Sequence, residues 1–247
     1  MMPSLSLLPG TPTDTPRCLI TGASSGIGLA LAQRLLDDGW QVIGIDRAAA
    51  PQDVSPEFTG IVADLLDPRD CDAALDAIGD TPLTAIVHCA GIVRSGGLTD
   101  TDMAEADALW QLHAGAPMRL MRVLADRLPA HDGRVILVSS RAVLGRPGRA
   151  AYAASKAAQI GLARSWAAEL VTRGVTVNVV APGAVDTPML RDPERGAPPR
   201  TALPIGRLIE PSEVAATIAF LIGPEAGAIT GQTLYVCGGA SLDLPHG

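Results

Sequence analysis

The stretch AAYAASKAAQIG, residues 150–161, holds the chain's one lysine, Lys156, four residues after Tyr152, which is one of two tyrosines. At i and i+4 on a helix the two side chains share a face and converge on one site. A phenol titrates near pH 10. A neighbouring ammonium stabilises the phenolate and makes the tyrosine a usable acid or base near neutrality. Of the 19 basic residues all but this one are arginine. A forked guanidinium does not offer the compact donor with which a lysine serves a phenol and a second hydroxyl together.

Upstream, TGASSGIG (residues 21–28) follows an apolar run and opens an amphipathic segment. Gly22, Ser24, Ser25, Gly26, Ile27 and Gly28 form a turn whose glycines let the backbone approach a pyrophosphate, at which the next helix aims its N–H groups. Asp46 ends the second apolar run, 18 residues beyond Gly28. A carboxylate there accepts from both ribose hydroxyls of NAD and repels the 2′-phosphate of NADP. Arg47 pulls toward NADP, since a guanidinium pairs with phosphate. Asp46 outweighs it, so NAD is the expected cofactor, with NADP second. Asp64 and Leu65, in ADLLD, are placed to meet the adenine. Asp64 reads equally well as a strand-end residue capping its own turn.

Apolar runs alternating with helical segments must position these residues. RCLI (17–20), QVIGID (41–46), FTGIVAD (58–64), AIVHCAG (85–91), RVILVSS (134–140), VTVNVVAPG (175–183) and TLYVCGG (233–239) read as seven strands. Helices are expected from the glycine turn to about Asp38, over 68–79, over 102–128 and from YAASK onward. Pro117 should kink or divide the long one. Val- and Ile-rich strands alternating with helices imply an α/β fold, a single doubly wound Rossmann-type domain over 17–247 whose mostly parallel seven-stranded sheet carries helices on both faces. Residues 1–16 read as a flexible leader. Residues 188–210, rich in Pro and Arg, read as a mobile substrate lid.

With 247 residues, 47% hydrophobic and 18% charged, the chain has ample material for a core. A net charge of −7 argues against a nucleic-acid partner. No apolar run approaches the roughly 18–20 residues of a membrane span, so no membrane partner is expected. Cys18, Cys71, Cys89 and Cys237 lie far apart without a C-x-x-C pair. They read as reduced thiols in a cytoplasmic protein. His88, His113, His131 and His246 show no metal-ligand spacing with them, and no metal is expected.

TGASSGIG, HCAG, a serine pair before YAASK, and NVVAPGAVDTPM, in this order and spacing, resemble the short-chain dehydrogenase/reductase family over residues 17–240. The resemblance implies a nicotinamide cofactor, reversible hydride transfer between a secondary alcohol and a ketone, and a homotetramer. It makes Tyr152 the general acid–base, and Lys156 its activator and ribose anchor. It draws the serine that holds the substrate oxygen from Ser139–Ser140. The family's use of the second serine makes Ser140 the expected one, although the commoner spacing of thirteen to Tyr152 falls on Ser139. Pro182, Gly183, Val185 and Thr187 match the nicotinamide cradle. The family's Asn-Asn-Ala-Gly stands here as His88-Cys89-Ala90-Gly91, which keeps the backbone role of Cys89, Ala90 and Gly91 but not the amide side chains. His113 replaces the helix asparagine that holds a water beside the lysine. It is either a catalytic relay, since imidazole donates and accepts, or a packed helix residue.

Arginines surround these motifs: Arg94 after HCAG, Arg141, Arg146 and Arg149 before Tyr152, and Arg191, Arg195 and Arg200 in the lid segment. Guanidinium holds carboxylate or phosphate at two points. A small anionic substrate, such as a sugar acid or another hydroxy acid, is therefore expected, against the alternative that these arginines are solvated or subunit-bridging. Aromatic residues make up 3% of the chain, which disfavours large flat substrates. An NAD-dependent dehydrogenase of a polar secondary alcohol leads. The alternatives are an NADPH-dependent ketoreductase of biosynthesis and a non-catalytic NAD sensor, which would have no need of an activated phenol.

Overall fold

Seven strands form one fully parallel sheet in the order β3-β2-β1-β4-β5-β6-β7. They are β1 (Arg17–Thr21), β2 (Gln41–Asp46), β3 (Phe58–Val62), β4 (Ala85–His88), β5 (Arg134–Val138), β6 (Thr176–Pro182) and β7 (Thr233–Val236). The structure is a computed structural model and describes residues 15–51, 54–192 and 203–242. Most of the expected leader, Arg195, Arg200 and the middle of the expected lid lie outside these residues.

Every position of β4, β5 and β6 is buried, as two-sided coverage of a parallel sheet requires. Alternate side chains feed two cores. Ile20, Val42, Val87, Ile136 and Val180 pack on one face beneath α1 (Gly26–Asp37) and α6 (Pro211–Ile222). Leu19, Ile43, Ile86, Leu137 and Val179 pack on the other, against α2 (Pro68–Ile78), α4 (Ala116–Leu124) and α5 (Ala150–Leu170). The chain turns from β3-β2-β1 outward to β4-β7 between β1 and β4. A doubly wound sheet opens its crevice at the carboxyl ends of the strands beside such a reversal.

The long helix expected over 102–128 is divided, but not by a kink at Pro117. α3 (Met103–Trp110) passes through a widened π-type turn, Gln111–Gly115, before α4 begins. Pro117 sits in the first turn of α4, where a missing N–H is least costly. The widening shifts the hydrogen bonding by one residue, so that Ala116 N–H reaches Gln111 O. His113 lies in the middle of this turn.

Candidate active site

Two cavities, of about 410 and 430 Å³, lie along the carboxyl edge of the sheet and share Ile27, Cys89, Gly91, Ile92, Thr187 and Met189. Tyr152, Lys156, Ser139 and Ser140 line the first. The glycine turn and Asp46 line the second.

α5 brings in Tyr152 and Lys156 one turn apart, as their spacing predicts. Lys156 is buried and donates from Nζ to the Val138 carbonyl at 2.7 Å. Burial pushes its pKa down to about 7. Desolvation pushes the half-buried Cys89 thiol up to about 12, so near neutrality that thiol gives the lysine no counter-charge.

The two serines that follow β5 both line the first cavity but hold different partners. Ser139 Oγ turns inward and donates to the backbone oxygen of Lys156 at 2.8 Å. Ser140 stands at the cavity wall, where its Oγ accepts the Ala142 N–H at 3.1 Å. That bond leaves its hydroxyl hydrogen to donate elsewhere.

His113 is fully buried. Its Nε2 accepts the Ile92 N–H at 3.2 Å, and its Nδ1 lies 2.9 Å from Ser155 Oγ. Ser155 donates its hydroxyl hydrogen to Tyr152 O at 2.9 Å, so His113 carries its proton on Nδ1. The imidazole meets the Tyr152 ring edge-on, with centroids 5.6 Å apart. His88 keeps the opposite tautomer. Its Nε2 donates to Leu112 O at 3.0 Å and its Nδ1 accepts from Thr21 Oγ1 at 2.8 Å. Thr21 Oγ1 in turn accepts the Ala90 N–H at 3.2 Å. Burial, reinforced by Lys156, holds His88 down to about 3 and His113 well below the usual histidine range. Both imidazoles are neutral and tie the turn after β4 to the widened helical turn.

The lining of the second cavity suits the adenosine and pyrophosphate part of a dinucleotide. Gly28 closes on the backbone of Gly22 so tightly that a Cβ would stand 2.0 Å from Gly22 O, and Gly26 has φ +54° against Thr187. The N-terminus of α1 has no side-chain cap and no acidic residue in its first turn, so its N–H donors face an anion-ready space. Gly22, Ser25, Gly26, Ile27, Gly28, Asp46, Arg47, Asp64, Leu65, Cys89, Ala90 and Gly91 line this cavity. Ser24 does not line it. Its N–H binds Asp46 Oδ2 at 3.0 Å, and Ala48 N–H binds Asp46 Oδ1 at 3.1 Å. Asp64 Oδ1 accepts the Leu66 N–H at 2.9 Å, the turn-capping role, while remaining at the cavity edge. Pro182, Gly183, Val185 and Thr187 line the first cavity.

Arg141, Arg146 and Arg149 also line that cavity, with Arg149 buried and Arg141 donating to Ala240 O at 3.0 Å. The structure does not bring Arg94 or Arg191 to it. Arg94 pairs with Glu105 at 2.6 Å and exposed Arg191 with Asp186 at 2.6 Å. Sequence reasoning missed Thr21, Ser155 and Gln159. For Gln159, which donates from Nε2 to His113 O at 3.0 Å, Pro117 was the available signal, since a proline inside a helix leaves the carbonyl four residues earlier without its donor.

The family profile described as "Enoyl-(Acyl carrier protein) reductase" matches residues 22–241. The chain belongs to the short-chain dehydrogenase/reductase family. It is an oxidoreductase of alcohol–ketone pairs. Among its relatives, the 3-oxoacyl-[acyl-carrier-protein] reductase FabG of Vibrio cholerae is 38% identical over 90% of this short-chain dehydrogenase/reductase and 95% of its own length. The (2S)-[(R)-hydroxy(phenyl)methyl]succinyl-CoA dehydrogenase subunit BbsD of Thauera aromatica is 35% identical over 91% and 96%. Among solved structures, the 3-ketoacyl-(acyl-carrier-protein) reductase of Brucella melitensis, complexed with NADH, superposes with a TM-score of 0.81 at 28% identity, over 92% of this chain and 98% of its own. No helix among the described residues is long and apolar enough to cross a membrane.

Proposed function

We propose that this short-chain dehydrogenase/reductase is NAD-dependent and oxidises a secondary hydroxyl on a small substrate that carries an anionic group. The observation that carries the reading is the continuity of two cavities, one bearing Asp46 and the other Tyr152, Lys156 and Ser140 beside Arg146 and Arg149.

The bound nicotinamide supplies the acceptor or donor of the hydride. The chain's residues do the rest. Ser140 donates to the substrate oxygen, and Tyr152, as phenolate, takes the hydroxyl proton while the carbinol hydrogen leaves as hydride. Lys156, held low by burial, gains from a neighbouring phenolate the charge partner that Val138 O does not provide. Ser139 and His113 hold the helix that carries both groups. Asp46 accepts from a ribose and disfavours a phosphate at that position. The NADH complex of the Brucella reductase supports this choice of cofactor. The name of the Thauera relative, with a hydroxyl on a succinyl-CoA, supports a substrate that joins a secondary alcohol to an anionic group.

A second reading, NADPH-dependent reduction of a 3-oxoacyl thioester, is favoured by the name of the Vibrio relative and by Arg47 beside Asp46. The arginines separate the two. Arg146→Ala should raise KM for a short hydroxy acid by about tenfold, the worth of one charge-assisted bond, while leaving KM for a matched neutral alcohol unchanged. Equal effects on both would remove the anionic-substrate reading.

A further inference from the structure

The widened turn leaves two carbonyls without their helical donors. Ala116 N–H is committed to Gln111 O and Pro117 has no N–H, so neither Leu112 O nor His113 O receives its i+4 partner. Side chains from elsewhere fill both places. His88 Nε2 donates to Leu112 O at 3.0 Å, and Gln159 Nε2 donates to His113 O at 3.0 Å.

Gln159 lies on α5, three residues beyond Lys156, with 0% of its surface exposed. Its Oε1 has no hydrogen-bond partner among the described residues. A buried carboxamide with its acceptor idle is a poor space-filler, because an apolar side chain of that size packs without the desolvation cost. What the site uses is the donor. The carbonyl it holds belongs to the residue whose ring binds Ile92 N–H, reaches Ser155 and meets Tyr152 edge-on. Clearance there is small. A Cβ on Gly91 would stand 3.1 Å from His113 Nε2 and 3.3 Å from Lys156 Nζ.

We propose that Gln159 is a positioning residue for the Tyr152–Lys156 pair, fixing the widened turn through His113 O and thereby the imidazole that sets Tyr152 and the 91–92 backbone. This rests on the reading of Tyr152 as the general acid–base. The titratable groups that face His113 are Tyr152 and Lys156 on α5 and His88 on β4.

Two variants test it. Gln159→Leu keeps the volume and removes the donor. Gln159→Glu keeps the shape and can donate only while protonated, and burial raises a carboxyl's titration above its usual range. Gln159→Leu should lower kcat by about tenfold at every pH, with KM for NAD within about twofold, the pattern of lost alignment. Gln159→Glu should match the parent at the acid end of the profile and fall to the Gln159→Leu level as pH rises, a descending limb the parent lacks. Nitrogen-15 NMR of labelled histidine gives a readout independent of turnover. His113 should report a neutral ring protonated at Nδ1 in the parent and shifted resonances in Gln159→Leu. Parent-like kcat and pH profiles in both variants overturn the proposal and leave the reading of Tyr152 standing, as does a loss of thermal stability with kcat and ring signals unchanged. If the parent turns over no alcohol, that reading fails, and the ring signals decide: shifted, Gln159 positions His113; unshifted, it does not.

Discussion

Lys156 Nζ ends 2.7 Å from the Val138 carbonyl, a neutral acceptor inside the carboxyl edge of the sheet. A carbonyl solvates an ammonium only in part, and burial brings the lysine down to about 7. The junction of β5 and α5 thus holds the lysine where its charged form is disfavoured, and the fold bears that cost.

That cost has a pH signature. The folded value lies below the ordinary 10.5, so between about pH 7 and 10.5 the unfolded chain binds a proton that the native chain does not. Stability therefore rises with pH across that window, and the whole penalty, a few kcal/mol at about 1.4 per unit, remains below it. Lys156→Met should raise the thermal midpoint of the cofactor-free protein at pH 6.5, with a gain that shrinks toward pH 10. No gain at pH 6.5 contradicts the burial argument.

The two histidines act in the acid range. Their native values lie below the ordinary 6.5, that of His88 at about 3, so the unfolded chain takes up protons first as pH falls below 6.5. Stability is lost downward from there, by about 2 kcal/mol for His88 at pH 5 and in the same direction for His113. The double variant His88→Asn/His113→Asn should show a smaller fall in thermal midpoint between pH 7 and pH 5 than the parent. An equal fall sinks the assignment of neutral buried rings.

The serines should separate by kind of effect. Ser140→Ala should lower kcat by about a hundredfold, as losing one donor to a developing oxyanion does. Ser139→Ala removes a buried bond to Lys156 O and should cost about 1 kcal/mol of stability while kcat changes little. The reverse pattern would transfer the catalytic role to Ser139.

The strands and the cofactor turn were legible because their signals are local. Buried parallel strands read as unbroken Val and Ile runs, and a glycine turn between strand and helix announces its own geometry. What each of the two serine hydroxyls bonds to was not legible. It depends on the pleat phase at the end of β5, and a strand buried on both faces shows no polar alternation to reveal that phase. The fates of Arg94 and Arg191 were hidden because a long guanidinium arm follows the nearest carboxylate, Glu105 or Asp186, and sequence does not locate it. The widened turn was half legible. Pro117 announced a break, but the hydrogen-bond shift that carries it comes six residues earlier, at Gln111, and is sustained by His88 and Gln159 from other elements.

Cofactor choice is tested at Asp46. Asp46 lines the cavity, and its two oxygens accept the Ser24 and Ala48 N–H groups. Asp46→Ala should raise KM for NAD by about tenfold or more, the worth of a charge-assisted bond, and should improve NADP use by removing the repulsion. An unchanged NAD-to-NADP ratio would favour the NADPH reading.

The central claim is tested most directly by steady-state reduction of NAD and NADP with the purified protein, followed through the absorbance of the reduced nicotinamide. The panel sets sugar acids and hydroxy acids beside matched neutral polyols and alcohols, with Tyr152→Phe as control. The account predicts turnover of acids with NAD, reduced at least a hundredfold or so in Tyr152→Phe, as loss of a general acid–base implies. Turnover confined to neutral alcohols or to NADP, or undiminished in Tyr152→Phe, contradicts it.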